Sequence, residues 1–257
     1  MNKDLSIIMP ALDEESNISD AISNTLSAFE EFGINGEIVV IDDGSTDNMH
    51  ALLSGMAAGW AEKVRVIRHD IPKGIGASFW DGVDAANGEA VCMIPGDNEN
   101  DPWEIMRYFG LMKHVDIVIP FIFNKQVRSL FRNALSFFYR FIINTTFRVN
   151  LNYTNGTVLY RRSILGALTH KSTGFFFQTE ILIKAVRRGY LFAEVPYRLG
   201  MRMSGVSKAV TFPSFLQVAK GYVQLVRDIY FGGNRYNKDM RFDKSSVSRE
   251  RYNLRRP

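Results

Sequence analysis

The sequence predicts an α/β fold in which helices cover both faces of a mainly parallel central sheet. Short runs of Val, Ile and Met alternate with longer amphipathic stretches through the first half of the chain. Because these runs lack polar positions, both faces of each strand should be buried, as in parallel sheets with crossover helices. The composition agrees with a globular protein, since 46% of the 257 residues are hydrophobic and 23% are charged.

The predicted elements follow in a regular order. The strands are SIIMP, EIVVID, KVRVIR, AVCMIP and VDIVIP, and helices lie between them at 16–32, 47–58, 75–87 and 102–113. The second half predicts helices at 127–147 and 177–188 and a strand at YLFAEVPY. From 212 to 231 apolar residues recur at helical spacing among charges, which predicts an amphipathic helix rather than a membrane span.

Charge and cysteine content exclude several classes of protein. Residues 234–257 form a basic tail with eight Lys or Arg and three acidic side chains, so the remaining body is almost neutral and a nucleic-acid-binding body is disfavoured. The single Cys92 excludes a disulfide scaffold. No apolar run is long enough to span a bilayer and the N-terminus lacks a secretion pattern. We therefore expect a cytoplasmic protein, soluble or peripheral on the inner face of a membrane.

Acidic side chains follow three of the first four predicted strands. They are Asp13, Glu14 and Glu15; Asp42, Asp43 and Asp47; and Asp97, Glu99 and Asp101. The carboxyl ends of parallel strands form the edge where α/β proteins bind ligands. Carboxylates gathered there repel one another unless a cation or hydrogen-bond donors hold them. A hard divalent metal suits them, and helix capping is the alternative, above all for Ser45, Thr46 and Asp47.

These segments resemble the inverting family 2 glycosyltransferases with the GT-A fold, most closely the branch that glycosylates polyprenyl (dolichyl) phosphate. The similar segments are SIIMPALDEESNI, EIVVIDDGSTDN, KGIGASFWDGVDAANGEAVCMIPGD, DNENDPWEI, GFFFQTEILIKAVRRGYLFAEVPY and RMSGVSK. The resemblance implies one transferase domain at 1–210, with a nucleotide-sugar-binding half at 1–120 and an acceptor half at 121–210. The amphipathic helix at 211–233 and the basic tail follow this domain.

The resemblance also implies a nucleotide-sugar donor and a set of residues that bind it. Pro10, Leu12 and Glu14 match the cradle of the base and ribose, Asp43 the reader of the base edge, and Lys73, Gly74 and Gly76 the loop near the donor. Asp13 stands where the family usually has Asn. Ordinary tight turns are the alternative explanation for the two glycines.

The metal motif departs from the family pattern. Where the family has Asp-x-Asp, this chain reads Pro95-Gly96-Asp97, so the first carboxylate is absent. Asp97 matches the second carboxylate, and Glu99 falls where the polyprenyl-phosphate branch often places another oxygen ligand. One carboxylate and a neighbour can hold Mg²⁺ or Mn²⁺ if the diphosphate supplies further oxygens. We expect Asp97 and Glu99 to bind this metal, with Gly96 beside the donor; the alternative is a site without metal.

On the acceptor side, Gln178, Thr179 and Glu180 match the family's acidic motif near the reacting sugar carbon. If the acceptor is a hydroxyl, Glu180 is the candidate catalytic base, whereas a phosphate is already an anionic nucleophile. An acid that interacts with the dipole of its own helix is the simpler alternative.

Basic residues complete the expected site. Arg202 and Lys208 match the basic loop that closes over the donor diphosphate in the family, which makes Arg202 a catalytic candidate. Arg128 and Arg132 are four residues apart and should project from one helical face toward the acceptor phosphate, unless they are ordinary surface arginines. The four histidines share no spacing and are interpreted as bystanders.

Together these observations predict a metal-assisted glycosyltransferase that moves a sugar from a nucleoside diphosphate to a polyprenyl phosphate with inversion. The helix at 212–231 and the basic tail would hold it at an anionic membrane surface. Two alternatives stay open: transfer to a hydroxyl in cell-surface polysaccharide or glycolipid synthesis, and a catalytically silent nucleotide-sugar-binding partner. The sequence also allows a homo-oligomer and gives no reason to expect a nucleic-acid partner.

Overall fold

The fold is built on one sheet. A computed structural model describes residues 3–60, 63–166, 168, 172–198, 212–232 and 242–254. Within these residues seven strands pair: β1 (Lys3–Ala11), β2 (Gly36–Asp42), β3 (Val64–Arg68), β4 (Gly88–Met93), β5 (Ile117–Ile122), β6 (Leu159–Arg161) and β7 (Phe192–Tyr197). Their order is β3-β2-β1-β4-β6-β5-β7. β6 is antiparallel to both neighbours and the other pairs are parallel, which confirms the predicted sheet.

Helices cover both faces of the sheet. One face carries α1 (Ile18–Glu31), α2 (Met49–Trp60) and α4 (Trp103–Met106), and the other carries α3 (Ile75–Ala85), α5 (Leu130–Phe147), α6 (Arg162–Gly166), α7 (Phe177–Arg187) and α8 (Phe212–Tyr230). Successive strand residues supply the two cores: Ile8 and Val39 face one, and Ile7 and Val40 face the other. The apolar runs of the inner strands β1, β2 and β4 are therefore explained by burial on both sides, whereas the edge strand β3 keeps exposed positions such as Arg65.

The helix predicted over 102–113 is broken in the structure. It consists of the four residues of α4 and a separate 3₁₀ helix at Phe109–Lys113. Ile105, Met106 and Met112 are nevertheless buried in the same core, so the apolar spacing that predicts a helix is real. Gly110, a poor helix former, lies in the tighter segment.

The basic tail contains a helix that the sequence analysis misses, α9 (Val247–Leu254). The buried carboxylate of Asp116, just before β5, accepts hydrogen bonds from the backbone N–H groups of Val247 (2.8 Å) and Ser248 (3.0 Å) and from Arg161 Nε (3.0 Å). Asp116 thus satisfies the first amide groups of a helix more than 130 residues away along the chain. A cap supplied from such a distance leaves no local pattern in the sequence.

A buried hydrogen-bond network surrounds Glu37 at the amino end of β2. Its carboxylate accepts from Ser6 Oγ (2.6 Å), from the N–H (2.6 Å) and Nδ2 (3.1 Å) of Asn87, and from Arg65 (3.1 Å). Burial alone would raise the pKa of Glu37, but the hydrogen bonds from Ser6 and Asn87 and the charge of Arg65 outweigh it, so the pKa is lowered.

We expect Glu37→Gln to be less stable than the wild type at pH 7 by about 1–2 kcal/mol, and this difference to narrow in acid. Because the native pKa is lowered, the carboxylate's contribution is complete above its unfolded value of about 4.3 and is lost as the pH falls through the native value. Urea unfolding from pH 7 to pH 3 measures the difference. Glu30→Gln, at an exposed surface pair with Lys63, is the control and should change stability by less than about 1 kcal/mol. A difference for Glu37→Gln that is constant with pH would contradict the network's role.

Candidate active site

In open α/β sheets the crevice that binds ligands lies where the strand order reverses, which in this sheet is between β1 and β4. The chain runs from β1 to β2 and β3 on one side and then returns to place β4 on the other. Gly96 N–H donates to the carbonyl of Pro10 at 3.0 Å. A Cβ at Gly96 would lie 2.7 Å from Ile18 Cδ1 and 3.0 Å from Ala11 Cβ. The absence of a side chain at Gly96 therefore brings Asp97 close to the end of β1.

Asp97 lies at this crevice with a partly exposed side chain. Its Oδ1 accepts the N–H of Glu99 at 3.1 Å, and no donor among the described residues bonds to its Oδ2. The described residues contain no cluster of three or more His, Cys, Asp or Glu that could hold a metal on their own. The carboxylates of Asp97 and Glu99 alone are too few to fill the coordination shell of Mg²⁺ or Mn²⁺, so they fit such a metal only when water and substrate oxygens supply the remaining ligands.

The acidic residues after β1 and β2 are held mainly by hydrogen bonds between the two loops. Asp13 Oδ1 accepts from the N–H of Thr46 at 2.8 Å. Glu15 and Asp47 exchange bonds across the loops: Glu15 Oε2 accepts from Asn48 N–H at 2.8 Å, and Asp47 Oδ2 accepts from Glu15 N–H at 2.9 Å. Asp47 Oδ1 also accepts the first N–H of α2, as expected of a cap. Asp13 has φ +56°, a conformation that Asn and Asp tolerate, which explains how Asp replaces the usual Asn.

The other residues matched to the base and ribose cradle lie at the same edge. Pro10 lies near the carboxyl end of β1, and Leu12 follows the strand and is half-buried. Glu14 Oε2 accepts a hydrogen bond from Asn17 Nδ2 at 2.8 Å, beside the start of α1. Their role in binding a nucleotide stays a prediction.

Asp43 joins the end of β2 to the start of α3. Its buried carboxylate accepts from the N–H groups of Lys73 and Gly74, both at 2.8 Å. Gly74 has φ +93°, which glycine adopts without strain. The expected contact between Asp43 and the base edge stays a prediction.

His69, which the sequence analysis interprets as a bystander, is also part of this arrangement. The buried ring lies between two carboxylates, with Nδ1 2.7 Å from Asp43 Oδ1 and Nε2 2.9 Å from Asp81 Oδ2. Lys73 Nζ lies 3.2 Å from the same Asp81 oxygen. The two partners of this ring lie 26 residues before it and 12 residues after it along the chain, so no sequence motif reveals them.

The start of α3 packs tightly against the loop that leads into α7. A Cβ at Gly76 would lie 2.5 Å from the backbone C and O of Thr173. Trp80 Nε1 donates to the carbonyl of Ser172 at 3.1 Å. The loop before α3 and the loop before α7 are therefore in direct contact.

Glu180 is buried in an ion pair. Its Oε1 accepts from Nζ of the fully buried Lys184, and its Oε2 accepts from Ser172 N–H at 3.1 Å. Lys184 Nζ also lies 3.8 Å from Asp228 Oδ2 on α8. Each oxygen of Glu180 therefore has a donor within the protein, and the side chain is only 4% exposed, so its role as the expected catalytic base stays a prediction.

Gln178 holds a segment that the sequence analysis passed over, residues 154–157. Its side-chain amide exchanges two hydrogen bonds with the backbone of Gly156, at 2.7 and 2.9 Å. Since β6 is antiparallel to β4, with Leu159 opposite Cys92, this segment enters β6 at the same edge as Gly96. In the sequence this segment is visible as TNGT, a run of small and polar residues after a predicted helix, which is typical of a functional loop.

A second polar cluster joins α5 to this segment. Tyr139 OH lies 2.8 Å from Thr179 Oγ1, which donates to Asn155 Oδ1 at 3.3 Å. Burial raises the pKa of Tyr139 to about 12, so the phenol is neutral at physiological pH. Its contribution at the site is therefore hydrogen bonding and not charge.

The two arginines assigned to the acceptor do not share one helical face as expected. Arg128 has an extended backbone and precedes Ser129, whose Oγ caps α5 by accepting from Arg132 N–H at 3.3 Å. The helix therefore begins three residues later than predicted. Arg128 Nε is buried without a hydrogen-bond partner in the described part of the chain. Arg202 and Lys208 lie outside the described residues.

Residues 6–169 match the family described as Glycosyl transferase family 2. The chain belongs to this family of glycosyltransferases. Among curated proteins, it is 27% identical over 169 residues to the undecaprenyl-phosphate 4-deoxy-4-formamido-L-arabinose transferase of Pectobacterium carotovorum subsp. carotovorum (strain PC1). The match covers 65% of this glycosyltransferase and 52% of that relative, so the chain spans about half the relative's length.

Solved structures confirm the GT-A fold of this glycosyltransferase. Glucosyl-3-phosphoglycerate synthase from Mycobacterium tuberculosis, in complex with uridine diphosphate, superposes with a TM-score of 0.65 at 19% identity. The same synthase with Mn²⁺, uridine-diphosphate-glucose and phosphoglyceric acid gives 0.66 at 20% identity. Both comparisons cover 87% of this chain and 80% of the other. Identity this low establishes the fold alone.

We expect Gly76→Ala to destabilise this glycosyltransferase by about 1–3 kcal/mol, because the new methyl group would overlap the backbone of Thr173. Gly55→Ala, inside α2 with nothing within 4 Å of the added Cβ, is the matched control. It should stabilise the protein by about 0.5–1 kcal/mol through helix propensity. Thermal and urea unfolding measure both variants. Equal effects of the two substitutions would show that the contact between the loops does not matter.

Proposed function

We propose that this glycosyltransferase moves a sugar from a nucleoside diphosphate to a polyprenyl phosphate, with inversion at the anomeric carbon. The observation that carries the proposal is the burial of Glu180 in an ion pair with Lys184, because a carboxylate that is 4% exposed offers little access to an acceptor hydroxyl. A phosphate acceptor needs no such base, since it is anionic at neutral pH. The curated relative, an undecaprenyl-phosphate 4-deoxy-4-formamido-L-arabinose transferase, supports the same acceptor class.

The donor is proposed to lie along the crevice between β1 and β4, with its diphosphate toward Asp97. Asp97 and Glu99 fit a divalent metal whose remaining ligands come from the diphosphate and water. When bound, Mg²⁺ or Mn²⁺ supplies Lewis-acid stabilisation of the negative charge on the leaving diphosphate. Lys73, at the start of α3, adds a positive charge from the side of β2. Arg202 and Lys208 are proposed to add further positive charge over the diphosphate.

The acceptor phosphate is proposed to approach from the side of α5. Arg128 has a buried Nε without a hydrogen-bond partner among the described residues, and a buried polar group of this kind is costly unless something pairs with it. Arg128 and Arg132 would bind the phosphate as guanidinium groups prefer, through paired N–H donors. Gln178 and Thr179 position residues 154–157 beside the reacting atoms.

A transfer assay tests the acceptor class. Labelled uridine-, guanosine- and thymidine-diphosphate sugars are offered with Mn²⁺ and with polyprenyl phosphate, the corresponding polyprenol, or an oligosaccharide. We expect label on polyprenyl phosphate alone and a loss of about 10² or more in rate for Asp97→Asn. Transfer to the polyprenol or oligosaccharide instead would favour the hydroxyl alternative. Donor binding without transfer to any acceptor would favour a silent binding protein.

The same assay tests Glu180. Because Glu180→Gln alone leaves the buried Lys184 charged and poorly paired, the informative variant is Glu180→Gln with Lys184→Met. We expect its rate toward polyprenyl phosphate to stay within about tenfold of the wild type, whereas loss of a general base costs about 10²–10⁴. Lys184→Met alone controls for the loss of the ion pair. A drop beyond about 10² with intact folding would make Glu180 a catalytic base.

The polyprenyl acceptor requires contact with a membrane, and the structure favours α5 as the contact. No helix in the described part of the chain has the length and hydropathy needed to cross a bilayer. α8 buries Leu225 in the core, and the tail residues Val247 and Ser248 are buried against the body. By contrast, seven large apolar side chains of α5 are exposed: Leu130, Phe131, Leu135, Phe137, Phe138, Phe141 and Ile142.

Basic residues lie at the amino end of this apolar surface. Lys125 and Arg128 precede α5, and Arg132 lies in its first turn. This pairing of apolar and positively charged groups matches the interface of an anionic bilayer. We therefore propose that α5, rather than the tail, makes the main membrane contact.

Phe131→Ser should weaken sedimentation with vesicles of phosphatidylcholine and phosphatidylglycerol by about tenfold, because one aromatic side chain is lost from the bilayer interface. Leu254→Ser is the matched control, since Leu254 is 80% exposed on α9 and Phe131 is 73% exposed on α5. The control should bind like the wild type. Equal binding by both variants would contradict the apolar contact of α5. Binding that does not change with the phosphatidylglycerol content would contradict the contribution of the basic residues at its amino end.

A further inference from the structure

We propose that His69 is a positioning residue for the donor diphosphate: a buried imidazolium that fixes Lys73 through two carboxylates. The inference rests on the proposed function, in which Lys73 faces the diphosphate. His69 lies immediately after β3, and its backbone N–H donates to the carbonyl of Asp42 at 2.8 Å. The ring itself is buried between β2 and α3.

The two ring nitrogens require a proton each. Asp43 Oδ1 lies 2.7 Å from Nδ1, and Asp81 Oδ2 lies 2.9 Å from Nε2. A neutral imidazole has one N–H and one lone pair, so one carboxylate would face a lone pair at hydrogen-bond distance. With both carboxylates ionised, the doubly protonated ring satisfies both contacts, and both are charge-assisted.

Each carboxylate holds a different part of Lys73. Asp43 accepts the backbone N–H of Lys73 and, through its other oxygen, that of Gly74. Asp81 accepts from the ammonium group of the same lysine at 3.2 Å. Lys73 is therefore fixed at its backbone by Asp43 after β2 and at its side-chain end by Asp81 on α3, and the ring of His69 joins the same two carboxylates.

The charges around the ring are balanced. Asp43 from β2 and Asp81 from α3 face His69, and the ammonium of Lys73 faces Asp81. The neighbouring Arg68 and His50 approach Asp42, at 3.7 and 3.6 Å from its Oδ2. Two negative and two positive charges thus form a neutral cluster. Without the proton of His69, Asp43 would face a lone pair or Asp81 would be released, and Lys73 would lose its fixed position.

His69→Gln tests the proposal, because a glutamine amide can donate to one carboxylate but carries no charge. Calorimetry first identifies which of uridine, guanosine and thymidine diphosphate binds the wild type most tightly. We expect the Kd for that nucleoside diphosphate to rise about tenfold in His69→Gln. KM for the nucleotide sugar should rise by a similar factor while KM for the acceptor is unchanged. His114→Gln, at an exposed histidine before β5, is the matched control and should match the wild type.

A double-mutant cycle separates positioning from general damage. If His69 acts through Asp81, the double variant His69→Gln with Asp81→Asn should bind nucleoside diphosphate about as weakly as whichever single variant binds it more weakly. The fold-losses of affinity of the two single variants should not multiply. Fully multiplicative losses would overturn the coupling. Circular dichroism and thermal unfolding show whether each variant is folded.

The ring's charge is measured on the wild-type protein, independently of any variant. Nitrogen NMR of histidine-labelled protein at pH 7 should show a proton on both ring nitrogens of His69, identified by loss of its signals in His69→Gln. A neutral ring would overturn the inference even if transfer to polyprenyl phosphate is observed. Conversely, a doubly protonated ring and weakened nucleotide binding without any transfer would overturn the proposed function and leave this inference standing. Unchanged binding by a folded His69→Gln would overturn the positioning role.

Discussion

The carboxylate of Asp43 fixes the geometry on which the donor side of the molecule depends. Two backbone N–H groups and a histidine ring converge on it, so the end of β2, the residue after β3 and the start of α3 have one relative arrangement. A buried carboxylate is tolerated only when it is surrounded by such donors, because its desolvation is otherwise too costly. The loop that leads into α3 is therefore tied by hydrogen bonds to the end of β2.

Direct packing continues this arrangement from α3 to α7 and α8. Gly76 lies against the backbone of Thr173, and the next residue along the chain, Gly174, precedes α7. Within α7 the pair of Glu180 and Lys184 reaches Asp228 on α8. A chain of close contacts therefore joins the end of β2 to α8.

The sequence predicts those parts of the fold that are set by local pattern. β1, β2, β4 and β5 are found where apolar runs place them, because strands buried on both faces have no other composition. Asp97 lies at the expected edge because strand connectivity alone determines that edge. What the pattern leaves out depends on contacts distant in sequence: the ring of His69 between two carboxylates, the cap that Asp116 supplies to α9, and the buried cation beside Glu180.

The reversed direction of β6 brings a further segment to the carboxyl edge of the parallel strands. Because β6 is entered from this edge, the stretch between α5 and β6 reaches it while β1 to β4 keep their own register. Under the function proposed above, replacements in that stretch would alter which molecule receives the sugar without disturbing how the activated sugar is held. A single backward strand would then let the two sides of one edge change independently.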